Sequence, residues 1–418
     1  MPINQAFMEM FSTIVQLSGL SMFGFAGQQI YQHYTKDEEK HQSEIKLSKV
    51  MENAKMYEKD SEGNMHYPRI RNIKEQDYGY NMTYTIPYGQ DISEWKKQKG
   101  KIETALEKEV EFEVEGRKLT MKVLDTELKD EYTYDTNILD DITGLLEVPV
   151  GHTKKNFLTL DIADRQMHTL IAGYSGAGKS VTIRNMLTTL ILKYPVNYFC
   201  LHLIDLKIVE LSTFKNTPYC ESYSTTHEET LDTLLELQNE MEYRYNVINQ
   251  EPNAKSINDL KGNMPYQLVV IDEYAELSPK MLVGEEKKIA KEIQSKLGTL
   301  FRRGRAAGIF FIICTQRPDS NVVDGQIKAN TQIKIAHRVS DKTNSRIILD
   351  NNKAAELDDT PGRGIFKIND NMEFQAPHLK PEQATKLIKE RCKQINPEGD
   401  NDKVVNLDEH REKKGVIL

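Results

Sequence analysis

The chain has 418 residues, with 55 Lys and Arg against 63 Asp and Glu, for a net charge of −8. That length allows two or three domains and a core that needs no staples; the four cysteines show no C-x-x-C pair or metal-ligand spacing, which excludes a disulfide scaffold or zinc module and fits a reducing compartment. The acidic balance excludes a surface that is basic throughout, so a nucleic-acid partner would need a local basic surface such as a pore lining.

Met10 to Gly27, MFSTIVQLSGLSMFGFAG, runs without a charge and lies near the lower limit for a membrane span. Residues 1–35 are read as an apolar N-terminal helix with two open roles, an anchor at the inner face of the cell membrane for a cytoplasmic motor, or a partner-binding helix. No basic leader or cleavage site marks a secretory signal. Residues 36–67 read as a charged, solvated helical linker, with Leu47, Val50, Met51 and Ala54 at helical spacing. Residues 68–135 form a small α/β module: MTYTIPYG is a strand and turn, DISEWKKQKGKIETALEKE an amphipathic helix, and EVEFEVEG with KLTMKVLD a hairpin turning at Glu115-Gly116.

Residues 136–376 alternate strands with helices, the pattern of a parallel-rich sheet covered on both faces. The stretch HTLIAGYSGAGKS, His168 to Ser180, is G-x-x-x-x-G-K-S with a strand before it and an amphipathic helix after it. Gly173, Tyr174, Ser175, Gly176, Ala177 and Gly178 make a backbone cradle for phosphate oxygens, and Lys179, Ser180 and Val181 open the helix. Lys179 reaches the outer phosphates and Ser180 is placed to hold Mg2+. YFCLHLIDLK is a buried strand ending in Asp205 and Lys207, where ligand-facing residues collect in an open parallel sheet.

A second buried strand, in NMPYQLVVIDEYAEL, delivers Asp272 and Glu273 to the same edge. Asp272 suits the water shell of Mg2+, and Glu273 suits a base that polarises an attacking water. The helix from Lys287 to Gly304 ends in Arg302, Arg303 and Arg305, and the strand GIFFIICTQRP ends in Thr315 and Gln316. Gln316 either senses the γ-phosphate or its water, or caps a loop. Lys328, Lys334 and Arg338 fall where pore-facing loops would meet DNA, with a solvated-lysine reading equally open. Residues 377–418 read as a polar tail with one amphipathic piece, EQATKLIKERCKQI.

From about Gly151 to Ile368 these blocks, with NEMEYRYNVI, RRGRAAGIFFIICTQRPDSNVVDGQIKAN and GRGIFKI among them, resemble the motor domain of the FtsK/SpoIIIE family of DNA translocases. The resemblance implies a RecA-like α/β P-loop motor that hydrolyses ATP, assembles as a homo-hexamer and threads DNA through its centre. It places Arg305 on the family's arginine finger, which acts on a neighbour's ATP; a solvated basic patch of Arg302, Arg303 and Arg305 is the alternative. Asp205-Leu206-Lys207 departs from the family's Asp-Pro-Lys, and the stretch after the motor is too short for a winged-helix orientation module. The short coupling ATPases of conjugative plasmids and integrative elements resemble this layout most, implying relaxase and membrane-channel partners. A chromosome or plasmid segregation motor and an FtsK-like protein-secretion ATPase are the alternatives.

Overall fold

The computed structural model describes residues 45–395, apart from 60, 69, 87–91, 261–263, 317, 319–321 and 323–324. The apolar stretch 10–27 lies outside the described residues. The chain divides into two units, Met1–Glu127 and Leu128–Leu418.

In the first unit, Ile70–Gln76, Gly79–Thr85, Lys118–Leu124 and Glu109–Glu115 form an antiparallel sheet in that spatial order. Tyr80, Met82 and Tyr84 alternate inward along one strand, as a half-buried strand requires. The helix Ile92–Leu106 lays Trp95, Ile102 and Leu106 on that face, with the Trp95 ring 5.1 Å from Tyr84 and 6.1 Å from Phe112. Leu47, Met51 and Met56 join this core. The helix that carries Leu47 and Met51, residues 45–53, is therefore part of the module and not a solvated linker: its apolar stripe has a sheet to cover.

The second unit is built on a ten-stranded mixed sheet. Its strands in chain order are β1 (Glu147–His152), β2 (Phe157–Asp161), β3 (Thr169–Ala172), β4 (Phe199–Ile204), β5 (Cys220–Ser224), β6 (Tyr266–Ile271), β7 (Ile309–Thr315), β8 (Ile333–His337), β9 (Arg363–Lys367) and β10 (Asn371–Gln375). The spatial order is β5-β4-β6-β7-β3-β8-β9-β10-β1-β2. Pairing is parallel from β5 through β8 and antiparallel beyond. The central strands FCLHLI, YQLVVI and IFFIICT are buried at every position, because helices cover both faces. On one face Ile171, Leu203, Leu268 and Ile312 meet Ile183, Met186 and Leu190 of α1 (Lys179–Lys193). On the other, Leu170, Val269, Ile271 and Phe311 meet α2 (His227–Gln250) and α3 (Gly284–Arg303) through Leu234, Met241, Leu297 and Phe301.

Two differences from the sequence reading concern the edges of this unit. Tyr134 and Ile138 pack with Leu379 and Ala384, which draws residues 128–135 into the second unit. The amphipathic piece of the supposed tail is α4 (Pro381–Ile395), buried through Ala384 and Ile388. Asn185 donates to the Pro377 carbonyl at 2.6 Å and Arg184 to the Leu379 carbonyl at 2.9 Å, fastening that segment to α1.

Arg244, fully buried on α2, donates to the carbonyls of Ala307 at 2.9 Å and Pro265 at 2.7 Å and pairs with Glu240. It thereby ties α2 to the entries of β6 and β7. His168, at the start of β3, sits within hydrogen-bond reach of the Phe301 carbonyl at 3.1 Å and accepts from the Phe311 N–H at 3.2 Å, so its other nitrogen carries the proton. Burial pushes His168 down to about 3 and, at the end of β8, His337 down to about 4.

Both histidines are neutral in the fold but take a proton near pH 6.5 once unfolded. Their stabilisation is therefore complete above that value and is lost as pH falls from 6.5 toward 4, by about 1.4 kcal/mol per histidine per pH unit. Urea midpoints measured across this range should fall steadily with acid, and His168→Gln should flatten the slope.

Candidate nucleotide site

Parallel pairing brings the C-terminal ends of β3, β4, β6, β7 and β8 to one edge of the sheet, and the phosphate loop turns from β3 into α1 there. The loop is held by its own backbone: Gly173 N–H donates to the Thr315 carbonyl at 3.3 Å, Tyr174 N–H to that of Arg338 at 3.1 Å, and Gly362 N–H to that of Ala177 at 2.9 Å. Gly178 sits at φ +118°, and a Cβ there would stand 2.5 Å from the Gly362 backbone. Gly176, at φ +87°, faces open space, with nothing within 4 Å of a Cβ added to it. With Gly178 as its N-cap, α1 has no capping side chain. An open cradle of this kind, before an uncapped helix end, fits phosphate oxygens.

Lys179 and Asp272 meet beneath the loop. The ammonium donates to the Asp272 carbonyl at 3.0 Å and stands 3.3 Å from its carboxylate, both side chains being 3% exposed. Burial works against the Lys179 charge, but Cys314 together with the acids Asp272 and Glu273 outweighs it and holds its pKa above the ordinary lysine value. Burial lifts the Asp272 carboxyl above its usual range, with Lys179 opposing that rise. Ser180, half-buried, opens α1 beside Lys179. Ser180 and Asp272 are hard oxygen donors on adjoining elements, a set that fits Mg2+.

Glu273 is held from the neighbouring strand. Thr315 donates its hydroxyl to the carboxylate at 2.8 Å and Gln316 its backbone N–H at 3.0 Å. Lys207, from the end of β4, stands 3.6 Å from the same carboxylate and 3.5 Å from Glu276. The insertion of β7 between β3 and β6 makes this grip possible. It is the main chain of Gln316 that reaches Glu273, with the side chain half-buried nearby.

Other expected residues lie elsewhere. Arg305 precedes β7, whereas the site follows it, and β7 has seven residues, so roughly 20 Å of strand separates them. Its guanidinium is 3.2 Å from the Gln332 amide once that amide is turned oxygen-first. Arg303 pairs with Glu242 and stacks on Tyr245. Lys328 and Lys334 share Asp350, at 3.1 Å and 3.5 Å. Lys334 is only 9% exposed and its pKa is lowered by burial, a setting that leaves little of it for a DNA phosphate. Arg338 pairs with Asp359 at 3.3 Å, the acid that also takes the Tyr174 hydroxyl, so it belongs to the surround of the phosphate loop.

The sequence reading missed the support under the loop. His337 bonds Thr182 of α1 at 2.9 Å and the Arg363 carbonyl at 3.0 Å. Arg363 then spreads to Gln375, Glu373, Asp130 and the Leu128 and Lys129 carbonyls. A lone histidine ending an apolar strand, IKIAH, was the signal available for it.

Residues 133–264 match the FtsK/SpoIIIE family model, so the chain carries a domain of the type the sequence blocks suggested. A DNA translocase FtsK of Lactococcus lactis subsp. cremoris is 33% identical over 240 residues, 53% of this chain and 30% of that protein. One from Streptococcus agalactiae is 35% identical over 242 residues, 54% and 28% of the respective lengths. The chain thus spans under a third of these relatives. Among solved structures, the pCW3 conjugation coupling protein TcpA, in a monomer form with ATPγS, is 25% identical with a TM-score of 0.58, covering 84% of this chain and 99% of that one. The EssC ATPases 2 and 3 of Geobacillus thermodenitrificans share the fold, with a TM-score of 0.56, 16% identity, and coverage of 66% and 53%.

Two variants probe the site. Gly178→Ala meets the Gly362 backbone and should weaken binding of a fluorescent ATP analogue by about tenfold or more. Glu273→Gln should bind that analogue normally while steady-state turnover falls by about 10²-fold or more.

Proposed function

We propose that this chain is an ATP-dependent DNA translocase that works as a homo-hexameric ring, and that it serves as a conjugative coupling protein delivering DNA to a membrane transfer channel. The observation that carries the ATPase reading is the grip of Thr315 and Gln316 on Glu273, beside the buried Lys179–Asp272 pair and under an open phosphate loop. Glu273 then orients and deprotonates the attacking water, while Lys179 and the N–H groups of the loop stabilise charge on the phosphates. Mg2+, held through Ser180 and Asp272, would neutralise the phosphate oxygens. Lys207, 3.6 Å from the carboxylate, helps to hold Glu273 in position.

The ring reading draws on Arg305. It stands at the far end of β7, too distant to serve its own site, and the resemblance to FtsK/SpoIIIE motors gives it a role on the ATP of a neighbour. DNA as cargo is supported by the FtsK relatives, and coupling by the nearly complete coverage of TcpA, whereas EssC is matched over about half its length. Of the three cations read as DNA contacts, we retain Lys328, which can exchange Asp350 for a DNA phosphate at no change in charge.

ATPase activity of the purified chain should rise several-fold with DNA and lose that stimulation as salt increases. Equal turnover with and without DNA would argue for the secretion reading instead, which a stimulating substrate peptide would support. Arg305→Ala should lower turnover by about 10³-fold. Mixing it with Lys179→Ala should restore part of that activity, because mixed neighbours then rebuild complete sites.

A further inference from the structure

The loop after β4 carries a feature that nucleotide chemistry does not use. Asp205, fully buried, accepts from the N–H groups of Val209 at 3.3 Å and Leu211 at 3.1 Å, and Ile208 N–H bonds back to the Asp205 carbonyl at 3.1 Å. The tight turn forces Ile208 to φ +57°, a left-handed conformation that a β-branched residue rarely adopts. What the turn presents is apolar: Ile208 is 58% and Val209 63% exposed, among the most exposed large hydrophobics of the described residues. Strain and exposed apolar surface together, one residue from the lysine that holds Glu273, call for a functional occupant.

The surroundings indicate which occupant. Glu210 follows the tip and Glu276 lies across Lys207 from it, with buried Glu273 behind; among the described residues Arg184 pairs with Glu210, and Lys207 is shared by Glu273 and Glu276. At the opposite edge of the sheet the same chain ends α3 with exposed Arg302 and with Arg303, which pairs with Glu242, followed by half-buried Arg305. One molecule therefore carries an acidic edge with an apolar tip and, about a strand's length away, a cationic end. Complementary surfaces at opposite ends make a head-to-tail contact, the kind that closes into rings.

Resting on the ring reading above, we propose that the Ile208–Val209 tip is the seat on which a second copy of this chain docks, bringing its Arg302–Arg305 end to the acidic edge. The apolar tip fixes where the neighbour sits, and the acids draw its arginines in.

Sedimentation velocity of the full chain with ATPγS and DNA tests this, comparing the native protein, Val209→Lys and Ile208→Gly. Native protein should assemble; Val209→Lys should remain monomeric, bind a fluorescent ATP analogue within about twofold of native, and lose DNA-stimulated turnover. Ile208→Gly, which relieves the backbone strain while deleting half of the tip, should assemble more weakly than native. Assembly and turnover of Val209→Lys equal to native would overturn the seat while leaving the ring intact. A native chain that stays monomeric with nucleotide and DNA would overturn both. Assembly that is lost on deleting residues 1–44 but unaffected by Val209→Lys would give the contact to the N-terminal segment and again overturn the seat.

Discussion

Two carboxylates end β6 in a place that water barely reaches, Asp272 at 2% and Glu273 at 6% exposed, and most of the site can be understood as the means of keeping them there. A buried carboxylate without partners costs several kcal/mol. Asp272 is offset by the Lys179 ammonium, and Glu273 by a hydroxyl, a backbone N–H and the more distant Lys207. These partners come from α1, β7 and β4, three elements far apart in sequence. The order of the sheet is thus an electrostatic requirement as much as a packing one: if β7 did not lie between β3 and β6, Glu273 would lose the hydroxyl of Thr315 and the N–H of Gln316.

The phosphate loop depends on a second constraint, close approach of backbone to backbone. Gly178 lies so near the Gly362 backbone that a Cβ on it has no room, and the Gly362 N–H bonds the loop at Ala177. Beneath them His337, kept neutral by burial, joins the first turn of α1 to β9 through Thr182 and the Arg363 carbonyl. A charged imidazole there would stand in the field of Lys179, so neutrality suits the site as well as the fold.

Polarity of the sheet divides the chemistry between its two edges. The acids and the phosphate loop gather where the parallel strands end, whereas Arg305 and its neighbours stand where β7 begins. No side-chain motion spans that distance, so the two sets of residues do not meet within one copy.

Local sequence alone was enough to place the glycine-rich loop between a strand and a helix, the acidic strand end and the α/β alternation, because each rests on short-range chemistry: glycines at fixed offsets, an apolar run closing in carboxylates, periodicities of two and of helical spacing. It was also enough to place Asp272, Glu273 and Thr315 at strand ends. Partnerships were not legible in this way. That Lys334 turns to Asp350, that Arg338 joins Asp359 and Tyr174, that His337 props the loop, and that Pro381–Ile395 packs on α1 instead of trailing as a tail all depend on contacts between residues tens to hundreds of positions apart. The charged stretch with Leu47 and Met51 shows the reason most directly: an apolar stripe at helical spacing looks the same on a solvated stalk and on a helix that covers a sheet, and only the presence of that sheet decides which it is.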